Sequence, residues 1–200
     1  MKQTAIILIF AVVGIRIYFI IKEYLQKKND TQKKSDLCAQ VMCGGNNSVS
    51  RIKYNYDSTP DCREASKLHG GPKLCSFGCV GMGTCASVCP MHAIHIIDGI
   101  AAVDRSKCVG CGACLNVCPK GIIRLVPRSN TCWVGCSNTA SREYTEAVCK
   151  IGCTGCGECV SACPSGAISI KDGVAVTDNK LCEGCCKCIE VCPRKTIWKA

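Results

Sequence analysis

Bulky side chains are scarce in this 200-residue chain: aromatics make up 5% of it, as two Trp, five Tyr and three Phe. A conventional apolar core of this length draws on more than that. Histidine is rarer still, at three residues, and proline stands at seven. No GxGxxG loop follows a strand-like run, and no acid, base and nucleophile can be grouped into a catalytic set. A nucleotide site and a catalytic site on this chain are therefore not expected. There is also no Arg/Lys stripe interleaved with aromatics. Nucleic acid is thus not an expected partner, despite a formal net charge of +10.

What the chain has instead is cysteine, 23 residues of it, together with 19 glycines. An odd count suits a closed disulfide framework poorly, which leaves metal as the substitute for a packed core.

The N-terminal stretch from Thr4 to Ile21 is apolar apart from Arg16. Eighteen residues at about 1.5 Å each span about 27 Å, enough to cross a bilayer core. Arg16 lies past the middle and can snorkel toward the C-terminal interface. No small-x-small cleavage site follows, so the sequence predicts a retained anchor rather than a signal peptide. Lys22, Lys27, Lys28, Lys33 and Lys34 follow the span, against Lys2 alone before it. The positive-inside rule then predicts a single-pass protein of the cell inner (plasma) membrane with its C-terminal part in the cytoplasm. A reducing compartment suits thiolate metal centres. Residues 22–36 read as a charged, solvated linker.

The remainder is a tandem repeat with an offset of 74 residues. Cys75, Cys79, Cys85 and Cys89 map to Cys149, Cys153, Cys159 and Cys163, and Cys108, Cys111, Cys114 and Cys118 map to Cys182, Cys185, Cys188 and Cys192. At the same offset Cys62 falls on Cys136, and Asp98-Gly99 on Asp172-Gly173. Three segments read C-x-x-C-x-x-C-x-x-x-C-P in full: Cys108 to Pro119, Cys153 to Pro164 and Cys182 to Pro193. This is the bacterial ferredoxin run, in which three cysteines hold one [4Fe–4S] cube and the fourth ligates its neighbour. Structural zinc, the competing chemistry, favours two separated CxxC knuckles. The segments 93–104 and 167–178 alternate apolar residues around an Asp-Gly pair, a hairpin signal.

The predicted fold is a small α+β architecture: an N-terminal transmembrane helix and two tandem bi-cluster ferredoxin-like modules held by iron–sulfur clusters. The boundaries read as an anchor over 1–22, a charged linker and lead-in over 23–60, module 1 over 61–130 and module 2 over 131–200. Carrying over the ferredoxin pattern assigns Cys79, Cys85 and Cys118, plus one more, to a first cluster, and Cys108, Cys111, Cys114 and Cys89 to a second. Cys153, Cys156, Cys159 and Cys192 go to a third, and Cys182, Cys185, Cys188 and Cys163 to a fourth. The first triad is incomplete, because Met82 stands where the second copy has Cys156. A thioether is a poor replacement for thiolate, and Cys75, one turn upstream of Cys79, is the expected replacement ligand. Cys149 is then redundant. Cys38, Cys132 and Cys186 read as spare thiols, while Cys43, Cys62 and Cys136 are unassigned and leave room for a fifth cluster. His69, His92 and His95 are not expected to be ligands, and Trp133 and Trp198 read as packing residues.

The membrane anchor, CGGNN at 43–47, the segment DCREASKLHGGPKLCSFGCVGMGTCASVCP at 61–90 and the three ferredoxin runs together resemble the B-subunit of the Rnf ion-translocating electron-transport complex. The resemblance covers about Val41 to Ile197, and C-x₃-C-x₅-C-x₃-C-P at Cys75 to Pro90 is its most specific part. It implies an electron-carrying subunit of a complex that couples electron flow between ferredoxin and NAD to pumping of Na⁺ or H⁺. Ferredoxin and other membrane and peripheral subunits are the implied partners. Family members usually carry a further four-cysteine domain after the anchor, which this chain lacks. The alternative is a polyferredoxin subunit of another membrane-bound respiratory or hydrogenase-type complex.

Overall fold

The computed structural model describes residues 14–22, 35–54 and 61–199. The chain divides into two compact units, Met1–Ser35 and Asp36–Ala200. In the first, residues 14–22 form a helix, α1, with its side chains exposed. The expected span over 4–21 falls largely outside the described residues, as does most of the linker. Among the described residues no helix is long and apolar enough to cross a membrane.

The second unit is built from pairs of short strands and single-turn helices, the dimensions expected where packing gathers around cysteines. The first predicted hairpin forms from β2 (Ile94–Ile97) and β3 (Ile100–Val103). Its second copy forms from β6 (Ile168–Lys171) and β7 (Val174–Thr177). Asp98 and Gly99 take φ of 46° and 74°, and Asp172 and Gly173 take 48° and 77°. Two consecutive positive φ values define the turn whose twist matches the flanking strands.

A second kind of pairing closes each module and was not anticipated. β1 (Leu37–Val41) lies antiparallel to β4 (Ile123–Pro127), with Val41 opposite Ile123. β5 (Cys132–Val134) lies antiparallel to β8 (Ile197–Lys199), with Val134 opposite Ile197. The lead-in read as part of a linker is therefore a structural strand of module 1, with Ala39 and Val41 buried in its core.

The longer helices are α2 (Cys62–Lys67) and α5 (Arg142–Val148). Asp61 caps the first, its carboxylate accepting from the N–H groups of Arg63 and Glu64, and Ser141 caps the second. The single-turn helices α3 (Thr84–Ser87), α4 (Ala113–Val117), α6 (Glu158–Ser161) and α7 (Lys187–Glu190) each carry one cysteine that is buried. Each stops just ahead of, or at, the Cys-Pro pair, because proline disfavours helical geometry in the residue before it.

The two apolar cores consist largely of cysteine and small aliphatics. Cys79, Cys85, Cys108 and Cys114 pack with Ala93, Ile94 and Ile123 in one, and Cys159 and Cys188 with Val134, Ile168 and Ile197 in the other. The modules meet through backbone hydrogen bonds: Gly44 N–H to Gly135 O at 2.8 Å, Arg51 N–H to Val148 O at 2.9 Å and Lys150 N–H to Val49 O at 2.9 Å. Tyr144 Oη reaches back to donate to Leu74 O at 2.7 Å.

Candidate metal centres

Two cavities are related by the repeat. In module 2, Cys153, Cys156, Cys159 and Cys192 line a small cavity of about 20 Å³ that is partly open to solvent. In module 1 the corresponding cavity, also about 20 Å³, is lined by Cys62, Cys79, Cys85 and Cys118. Cys62 thus stands in this cavity where Cys75 was expected. Met82, in the position of Cys156, packs with Cys62, Ala65 and Val80, so helix α2 delivers a thiol to the place the methionine leaves without one. The Cys62 N–H donates to Thr84 Oγ1 at 2.8 Å, which ties the start of α2 to α3.

Cys75 lies elsewhere. It lines a third cavity, of about 20 Å³, together with Cys43, Cys136 and Cys149. This also revises the ninth match of the repeat. Strand register makes Val41 the counterpart of Val134, so Cys43 and Cys136 are equivalent, each two residues beyond the strand's last valine. The coincidence of Cys62 with Cys136 at an offset of 74 has no structural meaning.

Of the other two sets, Cys108 and Cys114 are buried in the module 1 core with Cys89 packed against it, and Cys188 is buried in the module 2 core with Cys163 and Cys182 against it, while Cys111 and Cys185 are exposed. Burial pushes the Cys114 thiol up to about 11, and Cys108, Cys111 and Cys89 all lie near enough to add like-charge repulsion. Cys132, read as a spare thiol, has its sulfur 3.8 Å from that of Cys188. Cys186 takes φ of 60° at a position where module 1 has Gly112.

Electrostatics and hydrogen bonding are matched to sulfur held as thiolate on a cation. Burial raises the Cys85 thiol to about 12, with Cys79, Cys62, Cys118 and Cys114 adding to the rise. Burial likewise takes Cys159 to about 11, with Cys153, Cys156 and Cys192 beside it. Thiolates so crowded require a compensating cation. Backbone N–H groups are aimed at the sulfurs: Ala93 at Cys89 (3.3 Å), Ala39 at Cys108 (3.4 Å), Ala175 at Cys153 (3.4 Å) and Thr196 at Cys192 (3.4 Å). At Cys163 desolvation raises the thiol, but the Ser165 hydroxyl and the amides of Ala167, Ser165 and Ile168 outweigh it and leave the group below its ordinary value.

Among the described residues no three His, Cys, Asp or Glu side chains are grouped to hold a single metal ion. The cysteines surround cavities instead, an arrangement suited to a polynuclear iron–sulfur group. Gly81 and Gly155 let the binding loops approach the hairpins: a Cβ at Gly81 would lie 2.4 Å from Gly99 O, and one at Gly155 2.6 Å from Gly173 O.

These features accord with the family models that match the chain. The LdpA Fe-S cluster-binding domain covers residues 72–129, and the 4Fe-4S dicluster domain covers residues 152–196. The chain is an iron–sulfur protein of small α+β fold with ferredoxin-type 4Fe–4S domains.

It is 41% identical over 145 residues to the B-subunit of the proton-translocating ferredoxin:NAD(+) oxidoreductase complex of Clostridium ljungdahlii, an alignment covering 72% of this chain and 51% of that protein. It is 39% identical to the B-subunit of the Na(+)-translocating ferredoxin:NAD(+) oxidoreductase complex of Acetobacterium woodii, over 72% of this chain and 44% of that one. The B-subunit of the ion-translocating oxidoreductase complex of Methanosarcina acetivorans is 34% identical, over 71% of this chain and 54% of its own length. Over the matched region the chain is similar to Rnf-complex B-subunits. It spans about half the length of these curated relatives.

Proposed function

We propose that the protein is a membrane-anchored electron-transfer subunit that passes low-potential electrons between ferredoxin and an Rnf-like ion-translocating oxidoreductase. The observation that carries this reading is the recurrence, in both modules, of a cavity lined by four cysteines within a chain related to the Rnf B-subunits. The names of the relatives, which specify ferredoxin, NAD(+) and ion translocation, support the assignment of substrate and complex.

Four [4Fe–4S] clusters would be held by this reading. Cys62, Cys79, Cys85 and Cys118 take the first, and Cys89, Cys108, Cys111 and Cys114 the second. Cys153, Cys156, Cys159 and Cys192 take the third, and Cys163, Cys182, Cys185 and Cys188 the fourth. The bound clusters supply one-electron redox chemistry at low potential. The chain fixes the thiolates, points amide N–H groups at their sulfurs and shields them with small apolar residues, the features that set potential. The N-terminal apolar segment would hold the cluster-bearing unit at the cytoplasmic face of the membrane.

Stopped-flow reduction tests this reading. Reduced ferredoxin should reduce the reconstituted full-length chain rapidly, with a rate that falls with salt if charge steers the encounter, whereas NADH alone should not reduce it. Direct reduction by NADH without a partner subunit would remove the proposal.

A further inference from the structure

We propose that Cys43, Cys75, Cys136 and Cys149 hold a fifth [4Fe–4S] cluster at the junction of the two modules. The inference rests on the ferredoxin-type reading of the other four sites, and it deepens that reading with a centre that belongs to neither module alone.

The first support is size and composition. The junction cavity and the two cavities lined by ferredoxin-pattern cysteines are alike in size, at about 20 Å³ each. Each of the three is lined by four cysteines. A Cβ at Gly45 would lie 2.5 Å from Ser50 Oγ and 3.3 Å from Cys149 Sγ, so the chain is drawn in against this site as it is at the loops of the others.

The second support is symmetry. Module 1 contributes Cys43 from the tail of β1 and Cys75 from its C-x₃-C run. Module 2 contributes their counterparts, Cys136 from the tail of β5 and Cys149 from the matching run. A chance gathering of spare thiols would not draw the same two positions from each repeat.

The third support is the hydrogen bonding of the sulfurs. The N–H of Cys79 donates to Cys43 Sγ at 3.3 Å, and the N–H of its repeat counterpart, Cys153, donates to Cys136 Sγ. The Asn138 N–H also reaches Cys136 Sγ, at 3.5 Å, and the amides of Phe77 and Gly78 serve Cys75. The junction sulfurs are thus in direct contact with the backbone of a ligand from the first set and of one from the third. Cations stand at matching places as well. Lys120 Nζ donates to Ser76 O at 2.8 Å, and its counterpart Arg194 donates from Nη2 to Cys149 O at 2.7 Å. Both also line the neighbouring cluster cavities.

The test is an iron and acid-labile sulfide count on the full-length chain, purified and reconstituted anaerobically. Five cubes give about twenty irons per chain, and four give about sixteen. The paired substitution Cys43→Ala with Cys136→Ala should lower the count by about four and remove one EPR signal on reduction. Cys75→Ala and Cys149→Ala should lower it equally. A wild-type count of about sixteen, an unchanged count in the paired variant, or one zinc bound at the junction would overturn the proposal. Should the paired variant fail to accumulate, the wild-type count decides alone. Failure of the underlying reading looks different: the wild-type count would then lie well below sixteen, whatever the junction variants do.

Discussion

Replacing Cys62 by alanine is the perturbation that bears most directly on the first cluster. Cys62 is 7% exposed and lines the cavity with Cys79, Cys85 and Cys118, and the only other side chain at the triad's middle position is the Met82 thioether. With no thiolate to take its place, Cys62→Ala should cost the chain about four irons, or about one if a three-iron form persists. Adding Met82→Cys to that variant should restore the count, because it rebuilds the C-x-x-C-x-x-C run that module 2 has at Cys153, Cys156 and Cys159. Thr84→Val removes the acceptor of the Cys62 N–H and should cost about 1 kcal/mol of stability without loss of iron. Iron quantification with EPR of the reduced protein reads all three variants. Full iron in Cys62→Ala, together with loss of the first-cluster signal in Cys75→Ala, would refute the assignment and return Cys75 to that role.

Gly81→Ala should destabilise the protein by about 1–3 kcal/mol and speed iron loss on dilution, since φ is +84° and the added Cβ would meet Gly99 O at 2.4 Å. Gly155→Ala should behave alike, and thermal melts of the two variants matching wild type would discount the loop contact. The metal-free protein should lose stability as pH rises from about 9 toward 12. The Cys85, Cys114, Cys136 and Cys159 thiols hold their protons to about 11 or 12 when folded, against 9.0 for the ordinary group, so above 9 the unfolded chain binds fewer protons. Urea midpoints measured on the apo-protein from pH 8 to 11 should fall, and a flat profile would contradict the burial of these thiols. Deletion of residues 1–22 should move the protein from the membrane fraction to the soluble fraction, and retention in the membrane would locate the attachment elsewhere.

Much of the fold could be read from residue spacing, because the constraints there are local. The ferredoxin runs fix their loops within twelve residues, and the Asp-Gly pairs at 98–99 and 172–173 fix their hairpins by turn chemistry alone. The strand LCAQV at 37–41 offered no such signal. It is short, follows a lysine-rich stretch and finds its partner in β4, more than eighty residues on, so only tertiary pairing reveals it. The surroundings of Cys75 were hidden from sequence for the same reason. Thirty-two positions separate Cys43 from Cys75 but thirteen separate Cys136 from Cys149, and the longer segment in module 1 carries Cys62. A fixed offset of 74 therefore aligned Cys62 with Cys136 and left Cys43 without a partner. The missing ligand opposite Met82 was detectable in sequence as a vacancy. Which cysteine fills it depends on where α2 packs, and the nearest thiol along the chain was not the nearest in space.

The exchange of equivalent residues across the junction, with each half giving a strand-tail cysteine and a loop cysteine, has the form of an isologous contact. That is the kind found on the twofold axis of a homodimer, where the same patch faces itself. A duplicated gene whose product once paired with a second copy of itself would yield this arrangement when the two copies were fused. The twofold partner then becomes the other half of the same polypeptide, held at a fixed stoichiometry and free to diverge on one side only. The longer lead-in and the Cys62 thiol of the first half are such a divergence.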